Sequence, residues 1–375
     1  MKVATIVGTR PELIKLSRVL AELDRAAEHV LVHTGQNYDY ELNEIFFKDL
    51  EIRRPDHFLE AAAPSVGETI GNVIARSYAL LQKLAPDAVL LLGDTNSCLA
   101  AISAKRLKIP LFHMEAGNRC FDERVPEEVN RRLVDHVSDI NLVYTEHARR
   151  HLLAEGLRPD TVIKTGSPMR EVLGHYAARI EASDVLQRLK LQAGRYFVVS
   201  SHREENIDAE ASFRALVGAL QAVWQRHRLP TVFSTHPRTQ KRLEAAGTDM
   251  AGADVRFLKP MGFFDYVRLQ SSAYCVLSDS GTLTEECSIL GFPAVTLREA
   301  HERPEGMDVG TLVMSGLGAA NVLEAIALVR RHHDEGRRSA AVPDYKAADV
   351  SAKVVRIILS YTDYVNRRVW MKPPR

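Results

Sequence analysis

Short apolar runs, each closed by a glycine- or hydroxyl-bearing loop and followed by a helical stretch, recur along this chain and limit what it can fold into. Val3 to Val7, His29 to His33, Ala88 to Leu92, Leu111 to Met114, Ile140 to Tyr144 and Thr161 to Thr165 mark the first half. Such runs read as strands buried on both faces, the pattern of a parallel sheet covered by helices. Strand, loop and helix in steady succession call for right-handed crossovers, which place every strand's carboxyl end along one edge. The rhythm lapses in a polar helical stretch from Met169 to about Gly194. It restarts with Tyr196 to Ser200, Thr231 to Ser234, Val255 to Leu258 and Tyr274 to Leu277, and a last strand is expected at Ala294 to Leu297. The expected organisation is a first α/β domain over residues 1–168 and a second over 169–350. An amphipathic, aromatic tail, 351–375, would pack back on the first domain.

Composition narrows the function. Lys and Arg total 49 against 48 for Asp and Glu, so no global positive field points to nucleic acid. No apolar run reaches the ~18 residues that span a bilayer, and Met1-Lys2-Val3-Ala4-Thr5-Ile6-Val7 is too short a strand to read as a signal peptide. Cys98, Cys120, Cys275 and Cys287 form no C-x-x-C and read as reduced thiols of a cytoplasmic protein. No H-E-x-x-H or Cys/His cluster exists, so no metal is expected. The opening strand leads into Gly8-Thr9-Arg10-Pro11-Glu12, which is neither G-x-G-x-x-G nor a P-loop, so no dinucleotide cofactor is expected either.

The loops at the strands' carboxyl ends carry the chemistry. Thr9 and Glu12 make a capping box, and the helix start bears Arg10 with Lys15 one turn on. That is either a diphosphate cradle or a solvated basic turn. Gly93-Asp94-Thr95 follows the strand at Ala88 to Leu92, and Asp94 reads as a helix cap or as a partner of Glu115. Glu115 ends an apolar strand just before Ala116-Gly117, where open α/β sheets place their ligands. Further on, Pro126 opens a helix whose first turn holds Glu127 and Glu128, with Arg131 one turn later. Both glutamates have a bland reading as dipole-complementing surface groups; Asp122, Glu123 and Arg132 are taken as solvated.

In the second half, Ser201-His202-Arg203 follows a strand at a mouth that gathers phosphate donors, which favours a functional His202; His236, locked beside Pro237, reads as structural. Ser280, Gly281 and Thr282 at a helix start offer backbone N–H groups to a phosphate, and Glu286 one turn on is placed to hold a ribose diol. Phosphate cradles with convergent carboxylates and no nicotinamide fingerprint suggest chemistry on a nucleotide sugar.

The motifs Gly8-Thr9-Arg10-Pro11-Glu12, Gly93-Asp94-Thr95, His113-Met114-Glu115-Ala116-Gly117, Pro126-Glu127-Glu128-Val129-Asn130-Arg131, Ser201-His202-Arg203-Glu204-Glu205, Asp279-Ser280-Gly281 and Glu302-Arg303-Pro304-Glu305 stand in one order. That order resembles the non-hydrolysing UDP-N-acetylglucosamine 2-epimerase family over nearly the whole chain. The resemblance implies a GT-B-type α/β fold, two Rossmann-like domains with parallel sheets facing one cleft. It implies inversion at carbon 2 of a UDP-2-acetamido sugar, by elimination of UDP to a 2-acetamidoglycal and its re-addition. Asp94, Glu115 and Glu127 would then be the acid/base carboxylates. His202, Arg10 and Lys15 would surround the phosphates, and Arg131 would orient the carboxylates. Ser280, Gly281 and Thr282 would bind the diphosphate and Glu286 the ribose, with Arg303 carried over from its Glu-Arg-Pro-Glu context.

The chain departs from the family's commonest form in Asn118-Arg119-Cys120-Phe121-Asp122, in Thr282 and in the tail Tyr361-Thr362-Asp363-Tyr364-Val365-Asn366-Arg367. These variants look like the branch that makes UDP-N-acetyl-L-fucosamine from its L-talose epimer, for capsule or O-antigen. The alternative is a UDP-N-acetylglucosamine 2-epimerase forming UDP-N-acetylmannosamine. Outside the class stand a GT-B glycosyltransferase and a non-catalytic UDP-sugar sensor. The expected partners are the UDP-sugar and a second copy of the chain in a homodimer, with no nucleic acid and no membrane.

Overall fold

The computed structural model describes residues 1–35, 40–201, 203–207, 209–234, 242, 253–259, 261–300, 303–337 and 341–373. The chain divides into two compact units, Met1–Gly174 with Asp344–Arg375, and His175–Pro343.

The first unit is built on a wholly parallel seven-stranded sheet. Its strands are β1 (Lys2–Val7), β2 (Glu28–His33), β3 (His57–Phe58), β4 (Ala88–Leu92), β5 (Leu111–Met114), β6 (Ile140–Val143) and β7 (Val162–Lys164). They lie in the order β3-β2-β1-β4-β5-β6-β7, so the winding reverses between β1 and β4. Ligands of such sheets bind outside the carboxyl ends at that switch point. The helices between them include α1 (Arg10–Ala26), α2 (Tyr40–Asp49), α3 (Val66–Leu84), α4 (Ala100–Arg106), α5 (Pro126–Val137) and α6 (Glu146–Ala154). Every residue of β4 and β5 is buried, which is why these segments read as unbroken apolar runs. One core layer joins Ala4, Ile6, Val89 and Leu91 to Val73, Ala100, Ala101 and Ala104 of the covering helices.

The helix Val350–Arg368 buries Val350, Val354, Val355, Ile358 and Val365 and packs on α1. Its far end is tied by Tyr364 Oη, which donates to Asp160 at 2.7 Å, and by Lys372 Nζ, which donates to the Lys108 carbonyl at 2.6 Å. The seam between the units falls after Gly174 rather than at Pro168, because Glu171 accepts the Ser351 N–H (2.9 Å) and hydroxyl and so belongs with the C-terminal helix.

The second unit carries β8 (Phe197–Ser200), β9 (Thr231–Ser234), β10 (Val255–Leu258), β11 (Cys275–Ser278), β12 (Ala294–Thr296) and β13 (Val313–Met314). They form a parallel sheet in the order β10-β9-β8-β11-β12-β13. Both units are therefore doubly wound and Rossmann-like. Two strands escape the sequence pattern. The strand at Ala294–Thr296 is not the last, since β13 pairs beside it, and β3 pairs outside β2. Each is a two-residue edge strand, too short to show a period.

Candidate active site

The switch point of the first sheet is knitted together by Glu12. Its buried carboxylate accepts the Gly8 and Thr9 N–H groups on the β1 side. On the β4 side it accepts the hydroxyls of Thr95 (2.5 Å) and Ser97 (2.6 Å). Burial pushes the Glu12 carboxyl above its ordinary value, and these four donors work against that rise. The capping residue read from the sequence is thus also the clamp between two strand-end loops.

Glu115 follows β5 directly and takes φ +64°, the left-handed region. A non-glycine residue there costs about 1–2 kcal/mol, strain that structures tolerate chiefly where a side chain must be aimed. Lys15 Nζ donates to both its oxygens, at 2.7 and 2.5 Å, from a buried position on α1. Asn118 Nδ2 adds a longer contact at 3.4 Å. A Cβ on Gly93 would lie 4.0 Å from Glu115 Oε2, so the carboxylate hangs over the turn that carries Asp94.

Asp94 Oδ2 accepts from Arg131 Nε at 3.1 Å and Nη2 at 2.6 Å, while Arg131 Nη1 donates to Glu128 Oε2 at 2.7 Å. One buried guanidinium therefore bridges the β4 turn and the first turn of α5. Asn130 Nδ2 adds a bond to the Asp94 carbonyl at 2.9 Å. Glu128, given the bland reading in the sequence, is fully buried and also accepts the Cys120 N–H at 3.1 Å. Burial opposes its charge, but the Cys120 N–H and the Arg131 charge hold the carboxyl below its ordinary value. Glu127 lies half-buried in the same helical turn. Arg10 opens α1 with its guanidinium 5.7 Å from the Phe46 ring centroid. The structure thus gathers Lys15, Glu115, Asp94 and Arg131, and sets Arg10 against α2.

In the second unit, Asp279 is buried at the end of β11 and accepts the Ser201 hydroxyl (2.8 Å), the Arg203 N–H (3.1 Å) and Asn206 Nδ2 (3.0 Å). It anchors the loop that bears His202; His202 and His236 themselves lie outside the described residues. Gly281 precedes the helix Thr282–Leu290, and the hydroxyls of Ser280 and Thr282 are 3.0 Å apart. Ser280 and Gly281 line a recess with Thr284, Arg298 and Arg303, both arginines being buried. Backbone N–H groups at a helix start beside two guanidinium groups suit an anion. Arg303 Nη2 lies 2.9 Å from Glu285 Oε2, and Glu286 Oε2 accepts from Gln270 Nε2 at 2.7 Å. Among the described residues no group of three or more His, Cys, Asp or Glu side chains is disposed to hold a metal, and no helix is long and apolar enough to cross a membrane.

The family profile described as UDP-N-acetylglucosamine 2-epimerase matches residues 21–359. The chain belongs to the UDP-N-acetylglucosamine 2-epimerase family. A relative from Methanococcus maripaludis, a UDP-N-acetylglucosamine 2-epimerase, is 34% identical over 87% of this chain and 90% of its own length. A UDP-2,3-diacetamido-2,3-dideoxy-D-glucuronate 2-epimerase from Pseudomonas aeruginosa is 33% identical, over 90% of this chain and 95% of its own. The structure of a UDP-N-acetylglucosamine 2-epimerase from Rickettsia bellii superposes with a TM-score of 0.93 at 54% identity, covering 99% of this chain and all of that one. Like other members of this epimerase family, the chain is an isomerase with a GT-B-like pair of Rossmann-like domains.

Proposed function

We propose that this epimerase inverts carbon 2 of a UDP-2-acetamido sugar by eliminating and re-adding UDP. A carboxylate takes the carbon 2 proton, and that bond's electron pair becomes the C1=C2 double bond as the C1–O bond breaks. UDP leaves with the C1–O electron pair. Re-addition of UDP to C1 and protonation of C2 on the other face give the epimer. The observation that carries this reading is the arrangement at the β1/β4 switch point: Glu115 on the Lys15 ammonium, over a turn whose Asp94 is held by Arg131. A positioned carboxylate serves as base or acid, and the cations stabilise the departing diphosphate. Asp94, Glu115 and Glu127 supply the proton chemistry, with Arg131 positioning them. Arg10, Lys15 and His202 attend the diphosphate. Ser280, Gly281 and Thr282 bind it through the helix start, Glu286 holds the ribose, and Arg303, buried beside Ser280 and Gly281, joins them on its Glu-Arg-Pro-Glu context.

The sugar pair is the L-talose and L-fucosamine epimers of UDP-2-acetamido-2,6-dideoxyhexose, for capsule or O-antigen synthesis by a cytoplasmic homodimer. The support is the stretch Asn118 to Asp122, which lies against the site: Asn118 contacts Glu115, and Cys120 and Phe121 donate to Glu128. Interconversion of UDP-N-acetylglucosamine and UDP-N-acetylmannosamine is the second reading, favoured by the names of the Methanococcus and Rickettsia relatives. Incubation with a panel of UDP-2-acetamido sugars, followed by NMR of the products, tests both. Epimer formed without an acceptor supports the proposal and identifies the sugar. Substrate consumed only with an acceptor indicates a glycosyltransferase, and saturable binding without turnover a sensor.

A further inference from the structure

We propose that His113 is a buried imidazolium that positions the Gly93–Asp94 and Glu115–Gly117 turns relative to each other, an inference that rests on the epimerase reading of those carboxylates. His113 sits in the middle of β5, fully buried, and touches no solvent. Its Nε2 lies 2.7 Å from the Gly93 carbonyl and its Nδ1 2.9 Å from Asp135 Oδ1 on α5. A carbonyl only accepts, so Nε2 must carry a proton. Asp135 Oδ2 accepts Arg119 Nη1 at 2.7 Å and the Gly117 N–H at 3.1 Å. A carboxylate engaged by a guanidinium also accepts, which requires a proton on Nδ1 as well. Both ring nitrogens donate, and the ring is a cation.

The consequences reach both catalytic turns. Through Nε2 the ring holds the carbonyl of Gly93, the residue before Asp94. Through Nδ1 it holds the carboxylate that receives the Gly117 N–H, two residues after Glu115. Arg119 extends the network by pairing with Glu155 at 2.7 and 2.6 Å and by donating to the Asn118 carbonyl at 2.7 Å. The charged groups facing His113 are Asp135 from α5, Asp94 from the loop after β4, and Arg119 across Asp135; Asn141, its register partner on β6, is neutral and donates to the Asp135 carbonyl. Burial opposes the charge, but the Asp135 bond and charge, the Gly93 carbonyl and Asp94 raise the ring's pKa above the ordinary 6.5. A neutral ring would turn a lone pair on one of its two acceptors and loosen the clamp. The positioning is therefore intact below pH 6.5 and is lost as pH rises through the raised value.

The test uses the full chain labelled with ¹⁵N-histidine. Long-range ¹H–¹⁵N spectra should show one ring with both nitrogens protonated at pH values above 6.5, assigned by its absence from His113→Gln. In turnover, His113→Leu should lower kcat about 10- to 100-fold, the scale of a small misplacement of catalytic groups, with KM changed little. His113→Gln, whose amide still donates toward the Gly93 carbonyl, should recover part of that loss. A His113 ring that is already neutral at pH 6.5, or a wild-type kcat in His113→Leu, overturns the inference. The spectrum is read on wild-type protein, so it stands if the leucine variant does not fold. A wild-type chain that epimerises no UDP-sugar would contradict the proposed function instead, with the ring's charge still decided by the spectrum.

Discussion

Arg131 offers the sharpest energetic test of the site, because one guanidinium serves two carboxylates. Its side chain is 3% exposed, Glu128 is 0% exposed and Asp94 28%. Replacing it in Arg131→Leu leaves Glu128 buried with the Cys120 N–H at 3.1 Å, the Cys120 thiol at 3.3 Å, and the Phe121 N–H and Arg132 Nη2, each at a long 3.4 Å, as its remaining donors. Removing one partner of a buried ion pair costs roughly 3–5 kcal/mol, mostly through the stranded charge. Asp94, part-exposed, can be rehydrated, so the cost should come from Glu128 and lie near the lower end, about 3 kcal/mol. Glu128→Gln in the Arg131→Leu background removes the stranded charge and should restore about half of the loss or more. Glu128 is held below its ordinary 4.5, so in the wild type its contribution is present above pH 4.5 and lost as the carboxyl is protonated on acidification. Urea unfolding at pH 7 of the wild type, both single variants and the double variant closes the cycle. A loss under ~1 kcal/mol in Arg131→Leu, the size of a surface pair, or a double variant no more stable than Arg131→Leu, refutes the reasoning.

Other outcomes follow from the same geometry. His33 is buried, stacks on Phe58 at 5.1 Å and accepts the Gly35 N–H on Nδ1 at 3.0 Å; burial pushes its pKa down to about 4. The folded state therefore prefers the neutral ring, and stability present above pH 6.5 is lost as pH falls toward 4, about 3 kcal/mol in all. His33→Asn, which keeps an acceptor near the Nδ1 position, should show a smaller fall in urea midpoint between pH 7 and 4; an equal fall in both proteins contradicts this. At Gly117 (φ +82°) a Cβ would lie 2.4 Å from the Ala148 carbonyl oxygen. Gly117→Ala should cost roughly 2–5 kcal/mol, from the left-handed backbone plus the forced contact, and an unchanged melting temperature argues against it.

Much of this was legible in the residues. Parallel strands buried on both faces announce themselves as apolar runs, so β1, β4, β5 and β8 stand out, and Glu115 and Asp94 follow because they close such runs. The two-residue strands β3 and β13 show no period, and only their neighbours define them. Glu127 and Glu128 are indistinguishable by type and place in the first turn. The 100° between successive helical positions turns Glu128 into the core, toward Arg131 one turn on, and that i, i+3 spacing was the available signal. Lys15, one turn after Arg10, reads in the sequence as a phosphate ligand. That it pairs with Glu115, far along the chain, depends on β1 and β5 flanking β4. Asp135 and Arg119 carried no local signal, since their partners converge only through the sheet register. Asp279 was visible as part of a motif, but its role as anchor of the His202 loop needs the pairing of β8 with β11.

The proposed epimerisation requires proton exchange at carbon 2 through carboxylates at the β1/β4 switch point. Turnover in deuterated water, read by NMR and mass spectrometry of the UDP-sugar, tests it most directly. Deuterium is expected at carbon 2 of the epimer formed by the wild type. Glu115→Gln should slow incorporation and epimerisation together by ~10²-fold or more, the lower range of what a positioned acid or base supplies, with UDP binding retained. Epimer formed by the wild type without deuterium at carbon 2 would contradict the elimination route, and near-normal exchange by Glu115→Gln would remove Glu115 from the chemistry.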